Sequence, residues 1–207
     1  MTNPGALGGP TVGVLALQGG VAEHVELLEA LGARVAAVRT PRDLTGSDGV
    51  RVDAMVLPGG ESSVIDRLLR TFELFEPLRE AIVGGLPTLA TCAGLILLAE
   101  EVLDPAPGQQ SLRVMDITVR RNAFGPQVAS SVESLETTDG PVSVAFIRAP
   151  EVVRTGPGVA VVARRGPAIV AVRQRAITGL AFHPELTGET RFHRQLLTQV
   201  EVSARAS

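Results

Sequence analysis

The chain contains no lysine: all 19 of its basic residues are arginine. That single absence excludes a Walker-type phosphate loop, a Schiff-base lysine and a Ser–Lys dyad. Cysteine is almost as scarce, since Cys92 stands alone and has no partner for an internal disulfide. One cysteine and three histidines, at positions 24, 183 and 193, offer no recognisable ligand spacing, so no metal and no cofactor are expected. No apolar run approaches the roughly 20 residues needed to span a bilayer. Residues 1–10 are small, uncharged and rich in Gly and Pro, without the basic start and long apolar centre of a signal peptide. A free thiol and no export signal point to a reducing cytoplasm. The net charge of −3 gives no reason to expect nucleic acid or an anionic membrane as a partner.

What the 207 residues do contain suits a compact α/β protein: 45% are apolar, with 22 glycines and 14 prolines marking many turns. Residues 1–10 read as a disordered lead-in and residues 11–202 as a single domain. A short continuous apolar run at residues 12–17 reads as a strand buried on both faces, and residues 34–39, 54–57 and 88–91 read as the second, third and fourth strands. Between them, helical periodicity covers residues 21–31, a stretch from about 61 to 69, and another from about 72 to 83. This alternation predicts a doubly wound, mixed and mostly parallel sheet flanked by helices. Residues 114–119, 142–147, 159–163 and 169–172 read as further short strands, and residues 190–200 as the last helix. His24 and His193 read as surface residues of their helices, without catalytic work.

Cys92 lies in Thr91-Cys-Ala-Gly94, between the strand at 88–91 and an apolar helix. At such a turn the sulfur is lifted out of the sheet beside the first free N–H groups of the helix, which favour a thiolate and can hold an oxyanion. Alone, Cys92 reads equally well as a small buried core residue. The balance shifts at Phe182-His183-Pro184-Glu185-Leu186, which ends the apolar run 177–182. A histidine and a carboxylate two residues apart on an extended segment point to one side, toward a common nucleophile. The order nucleophile, histidine, acid argues against an α/β-hydrolase, whose acid precedes its histidine. Cys92, Pro58-Gly59-Gly60 and Gln18-Gly19-Gly20 all fall at the carboxyl edge of the predicted sheet, where such folds bind ligands.

Leu15-Ala-Leu-Gln-Gly19, Leu57-Pro-Gly-Gly-Glu-Ser62, Thr91-Cys-Ala-Gly-Leu-Ile-Leu-Leu98, Arg121-Asn-Ala-Phe-Gly125, Phe146-Ile-Arg-Ala-Pro150 and Phe182-His-Pro-Glu-Leu-Thr187 occur in this order across nearly the whole chain. With them the sequence resembles the class I glutamine amidotransferases, of flavodoxin-like fold. More narrowly, it resembles the glutaminase subunit of two-component pyridoxal 5′-phosphate synthase. The resemblance implies that Cys92 is the nucleophile, His183 the acid–base partner and Glu185 the residue orienting it. It further implies an oxyanion hole of Gly60 and Ala93 backbone N–H groups, and a glutamine pocket lined by Gly60, Glu61, Ser62, Arg121, Ile147 and Arg148. Either arginine reads equally well as a solvated strand-end charge. The implied reaction is hydrolysis of L-glutamine, with ammonia passed to a synthase subunit that makes pyridoxal 5′-phosphate, a product and not a prosthetic group here. A glutaminase feeding another synthase and a catalytically silent assembly partner are the alternative readings. The chain departs from the family pattern at Ala90, where glycine is usual, at Pro126, where arginine is usual, and in a slightly long loop at residues 47–51. The glycine-rich turn at Gly59-Gly60 can change orientation at low steric cost, so a docked synthase subunit is expected to switch the site on.

Overall fold

The structure is a computed structural model that describes residues 9–123 and 131–206. Residues 1–8 of the expected lead-in lie outside the described residues, as do Phe124, Gly125 and the departure at Pro126. In chain order the elements are β1 (Thr11–Leu15), α1 (Val21–Ala30), β2 (Arg34–Val38), α2 (Pro41–Leu44), β3 (Thr45–Gly46), β4 (Gly49–Val50) and β5 (Ala54–Leu57). Then come α3 (Ser62–Thr71), α4 (Phe75–Val83), β6 (Thr88–Thr91), α5 (Ala93–Leu98), β7 (Ala99–Leu103) and β8 (Met115–Arg120). The rest comprises β9 (Ser131–Leu135), β10 (Val142–Phe146), β11 (Glu151–Thr155), β12 (Ala160–Arg165), β13 (Ala168–Gln174), β14 (Ile177–Leu180), a 3-10 turn (Glu185–Thr187) and α6 (Arg191–Ala206). Among the described residues no helix is long and apolar enough to cross a membrane.

The main sheet runs β2-β1-β5-β6-β14-β13-β11-β8-β7, with β12 paired to β13. Its first five strands are parallel, and the strands from β13 to β8 are antiparallel. Strands β5, β6 and β14 are buried along their whole length, which explains why they lack polar–apolar alternation: β5 is wholly apolar, and β6 and β14 carry no polar side chain larger than threonine. The chain moves from β1 outward to β2, but from β5 toward β6 in the opposite direction. Right-handed crossovers therefore put α1 on one face and α3–α4 on the other, and the order reverses between β1 and β5. That reversal opens a crevice at the carboxyl ends of β1 and β5, where residues 18–20 and 58–60 sit.

The strands at residues 114–119, 142–147, 159–163 and 169–172 appear as β8, β10, β12 and β13. Strands β7, β9 and β11 have no counterpart in the sequence reading. Glu100 and Glu101 in β7 and Glu151 and Arg154 in β11 interrupt the apolar pattern because these outer strands are partly exposed. The helix expected from residue 72 begins at Phe75, since Glu73 takes a left-handed backbone (φ 57°) that separates it from α3. The long loop at 47–51 is the turn and second strand of a small hairpin, β3–β4.

Candidate active site

The pairing of β14 with β6 aligns Leu180 with Thr91, so Cys92 and the segment leading to His183 emerge at the same sheet edge. The Cys92 N–H donates to Leu180 O at 2.8 Å and ties the two strand ends together. Cys92 itself has φ 47° and ψ −100°, a conformation that L-residues rarely adopt and that costs on the order of 1–3 kcal/mol. The sharp reversal throws the side chain out of the sheet just before α5 begins at Ala93. The residue is 8% exposed, and its sulfur lies 3.8 Å from Ile147 O. Ala90, the departure two residues earlier, is fully buried. Its neighbours in the sheet are Gly179 on β14 and Leu57 on β5, so its methyl group shares a sheet face with a residue that has no side chain.

His183 is held from both sides. Before it, Phe182 is fully buried between Phe146 and Phe192, with ring centroids 5.5 and 5.7 Å away. Its own N–H donates to Ala145 O at 2.8 Å, joining β10 to the site. Sequence reasoning put His183 and Glu185 together by alternation along an extended segment. The structure reaches the same pairing by another route: Pro184 turns the chain into the helical region (φ −66°, ψ −29°) and Glu185 opens the 3-10 turn. The ring Nδ1 lies 2.7 Å from Glu185 Oε1. Burial alone would push the His183 imidazolium down. Hydrogen bonds and charge interactions with Cys92 and Glu185 outweigh it and lift the group to about 10. The arrangement thus favours an imidazolium, held between the Glu185 side chain and the Cys92 sulfur.

A cavity of about 270 Å³ opens over these groups. Cys92, His183, Glu185, Gly60, Glu61, Ser62, Arg121, Ile147 and Arg148 all line it. Of the site residues expected from sequence, Ala93 alone is absent from that lining; it is buried at the first position of α5. Two turns form the floor. Gln18 Oε1 accepts the Glu61 N–H at 2.8 Å, and Gly59 O accepts the Gly20 N–H at 3.1 Å. A Cβ on Gly59 would run into the His183 ring, so this position needs glycine for close approach. On one wall the Arg121 guanidinium pairs with Glu61 Oε1 at 2.8 Å and donates to Gln109 Oε1 at 2.9 Å. Gln109 in turn donates to Ser62 Oγ at 3.0 Å. Arg148 is exposed, has a left-handed backbone (φ 44°), and makes no ion pair among the described residues.

The reading of His24 and His193 as surface residues is wrong. Both are completely buried. His24 Nδ1 lies 2.9 Å from His193 Nε2, and His24 Nε2 lies 3.2 Å from Thr91 Oγ1 and 3.6 Å from Glu185 Oε1. The signal was present in the helical spacing: His24 stands three residues after Val21 and four before Leu28, and His193 three before Leu196 and seven before Val200. Each sits on the apolar stripe of its helix. Gln109 and Asn122 also border the pocket or its wall; Asn122 lies in the quoted run Arg121-Asn-Ala-Phe-Gly125, whereas no local pattern singles out Gln109.

A family model described as the SNO glutamine amidotransferase family matches residues 14–202. The pyridoxal 5′-phosphate synthase subunit PdxT of Kineococcus radiotolerans is 55% identical over 210 residues, covering 97% of this chain and 97% of its own. The protein of the same name from Cutibacterium acnes is 53% identical over 201 residues, covering 92% and 97%. Among solved structures, a crystal structure of a glutamine amidotransferase superposes with a TM-score of 0.84 at 43% identity, covering 92% of this chain and 98% of that one. The PurLQS structure from Thermotoga maritima, at 15% identity and a TM-score of 0.66 over 96% and 99% of the two chains, shares the fold. With its sequence matched from residue 14 to residue 202 and relatives more than half identical over most of its length, the chain belongs to the SNO glutamine amidotransferase family.

Proposed function

We propose that this chain is the glutamine-hydrolysing subunit of a pyridoxal 5′-phosphate synthase and that Cys92, His183 and Glu185 are its catalytic residues. The Cys92 thiolate attacks the side-chain amide carbon of L-glutamine. Backbone N–H groups of Gly60 and Ala93 receive the developing oxyanion. The His183 imidazolium gives its Nε2 proton to the departing nitrogen, ammonia leaves, and a thioester remains on Cys92. Neutral His183 then takes a proton from water as it attacks the thioester, releasing glutamate and restoring the thiolate–imidazolium pair. Glu185 holds the ring by Nδ1, so that Nε2 faces the sulfur.

Arg121 and Glu61 set a cation and an anion side by side on the pocket wall, a match for the zwitterionic end of an amino acid, and Arg148, which makes no ion pair among the described residues, supplies a guanidinium for its carboxylate. Ammonia is useful only while unprotonated, which favours direct transfer to the synthase subunit that the relatives' name implies. The lone thiol fits a reducing cytoplasm.

The observation that carries the reading is the meeting of a strained Cys92 with a half-buried His183, itself paired to a buried Glu185, in one cavity at the reversal point of the sheet. The test is ammonia release from glutamine by the chain alone and with saturating synthase subunit. Cys92→Ala is expected to abolish it in both conditions while leaving synthase binding intact. A glutamine-analogue electrophile is expected to leave one adduct, on Cys92. Full ammonia release by the alanine variant overturns the assignment.

A further inference from the structure

Behind the catalytic residues lies a buried row of side chains that the reaction does not itself use. His193 Nε2 meets His24 Nδ1 at 2.9 Å, and His24 Nε2 then faces Thr91 Oγ1 at 3.2 Å and Glu185 Oε1 at 3.6 Å. Thr91 is the last residue of β6, adjoining Cys92. His24 therefore touches both the strand end that carries the nucleophile and the carboxylate that orients the base, although it comes from a helix remote in sequence from either.

The geometry selects one arrangement of protons. If His24 carried its proton on Nδ1, the lone pair of Nε2 would face the Glu185 carboxylate, two negative regions brought together in a dry interior. With the proton on Nε2, His24 donates to Thr91 Oγ1 and turns the positive end of its dipole toward Glu185. Its Nδ1 then accepts from His193 Nε2–H. His193 Nδ1 is left as a bare acceptor, and it is one of two buried polar atoms without a hydrogen-bond partner among the described residues; the other is Glu185 Oε2. A missing donor beside a bare acceptor is the lesser cost, since an unpaired buried N–H is rarer than an under-used lone pair. The second orphan matters more. The buried Glu185 carboxylate is held by polar groups through Oε1 alone among the described residues, shared between the His183 ring and the His24 side.

We propose that His24 is a positioning residue for the glutaminase reaction: its Nε2–H, fixed in tautomer by His193, registers Glu185 against the strand end that bears Cys92. The inference rests on the assignment of Glu185 as the orienting acid. Loss of the His24 donor leaves the carboxylate free to shift, and His183 with it, so Nε2 no longer faces the sulfur in the geometry that transfers a proton.

The experiment is a double-substitution cycle on the chain assembled with its synthase subunit, measuring kcat and KM for glutamine and, in the same samples, thermal unfolding. His24→Leu is expected to lower kcat about tenfold or more with KM changed less than about twofold. His24→Gln, whose amide N–H sits near the Nε2 position, is expected to recover most of that loss, and the shorter His24→Asn is not. In a Glu185→Gln background the additional loss from His24→Leu is expected to shrink to within about twofold, because both changes act through one group. A core histidine that only packs would give equal losses in both backgrounds, tracking the thermal unfolding; that result, or kcat within twofold of wild type for His24→Leu, overturns the proposal. If His24→Leu does not fold, the Gln and Asn variants decide, and equal kcat for the two overturns it. Should Glu185→Gln itself leave kcat unchanged, the acid assignment fails and not merely the role of His24.

Discussion

Replacing Glu185 by Gln removes a charge and almost no volume, and its consequences follow from the site. The carboxylate is 1% exposed and its Oε1 lies 2.7 Å from His183 Nδ1, a short charge-assisted hydrogen bond of the kind worth about 1.5–3 kcal/mol. Losing that amount in the transition state, where His183 must hold and then deliver a proton, lowers kcat by about 10- to 100-fold. The side chain is buried and spends its hydrogen bond on the His183 ring, not on the unreacting end of the substrate, so KM for glutamine changes little. The pH profile carries a separate signature. In the native protein His183 is raised from 6.5 to about 10: burial lowers it, and Cys92 and Glu185 more than restore it. Its proton is present through neutral pH and is lost as pH climbs through about 10. Without the carboxylate the group falls toward its ordinary value, so the alkaline limb of kcat moves to lower pH. The assay is ammonia release across the pH range, with synthase subunit present and glutamine both above and below KM. An unchanged kcat, or a slower enzyme whose alkaline limb stays in place, would refute the claim that Glu185 acts through the His183 proton.

Arg148→Ala and Arg121→Ala are expected to raise KM for glutamine with a smaller effect on kcat, since a contact to the unreacting end of the substrate binds ground and transition states alike; unchanged KM in both variants would move the pocket elsewhere. Gly59→Ala puts a methyl group into the His183 ring, so turnover should fall by more than tenfold while urea unfolding still shows a cooperative folded protein; wild-type turnover would mean that the ring is free to move. Acid is expected to destabilise the fold through its buried histidines. His193 is lowered by burial to about 4, and His24 is lowered by burial and then by His193 and His183. Between pH 4 and 6.5 the unfolded chain binds protons that the native chain refuses, so stability falls as pH drops, by about 2 kcal/mol at pH 5 for His193 alone. Urea midpoints at pH 7 and pH 5 measure it, and a His193→Gln variant with the same pH slope would show that His193 does not contribute.

The parallel half of the sheet was legible because its physics is local. Strands β1, β2, β5 and β6 are short runs made mainly of apolar residues, each helix between them repeats its apolar residues at a helical period, and glycines and prolines mark the turns. The turn chemistry around Cys92, and the two-residue spacing of His183 and Glu185, likewise mark the proposed nucleophile and its proposed base in one dimension. Tertiary structure decided everything that depends on which segments lie side by side. Only the placement of β14 next to β6 brings His183 to Cys92, and only the turn at Pro184, not an extended strand, aims Glu185 at the ring. The outer strands β7 and β11 were hidden because half-exposed strands tolerate charge and lose the apolar signal. His24 and His193 were misread because the polarity of histidine was given more weight than their place on the apolar stripe of each helix. Whether such a ring meets water or another imidazole depends on a helix remote in sequence, and here α1 and α6 meet beneath the active site with both rings turned inward.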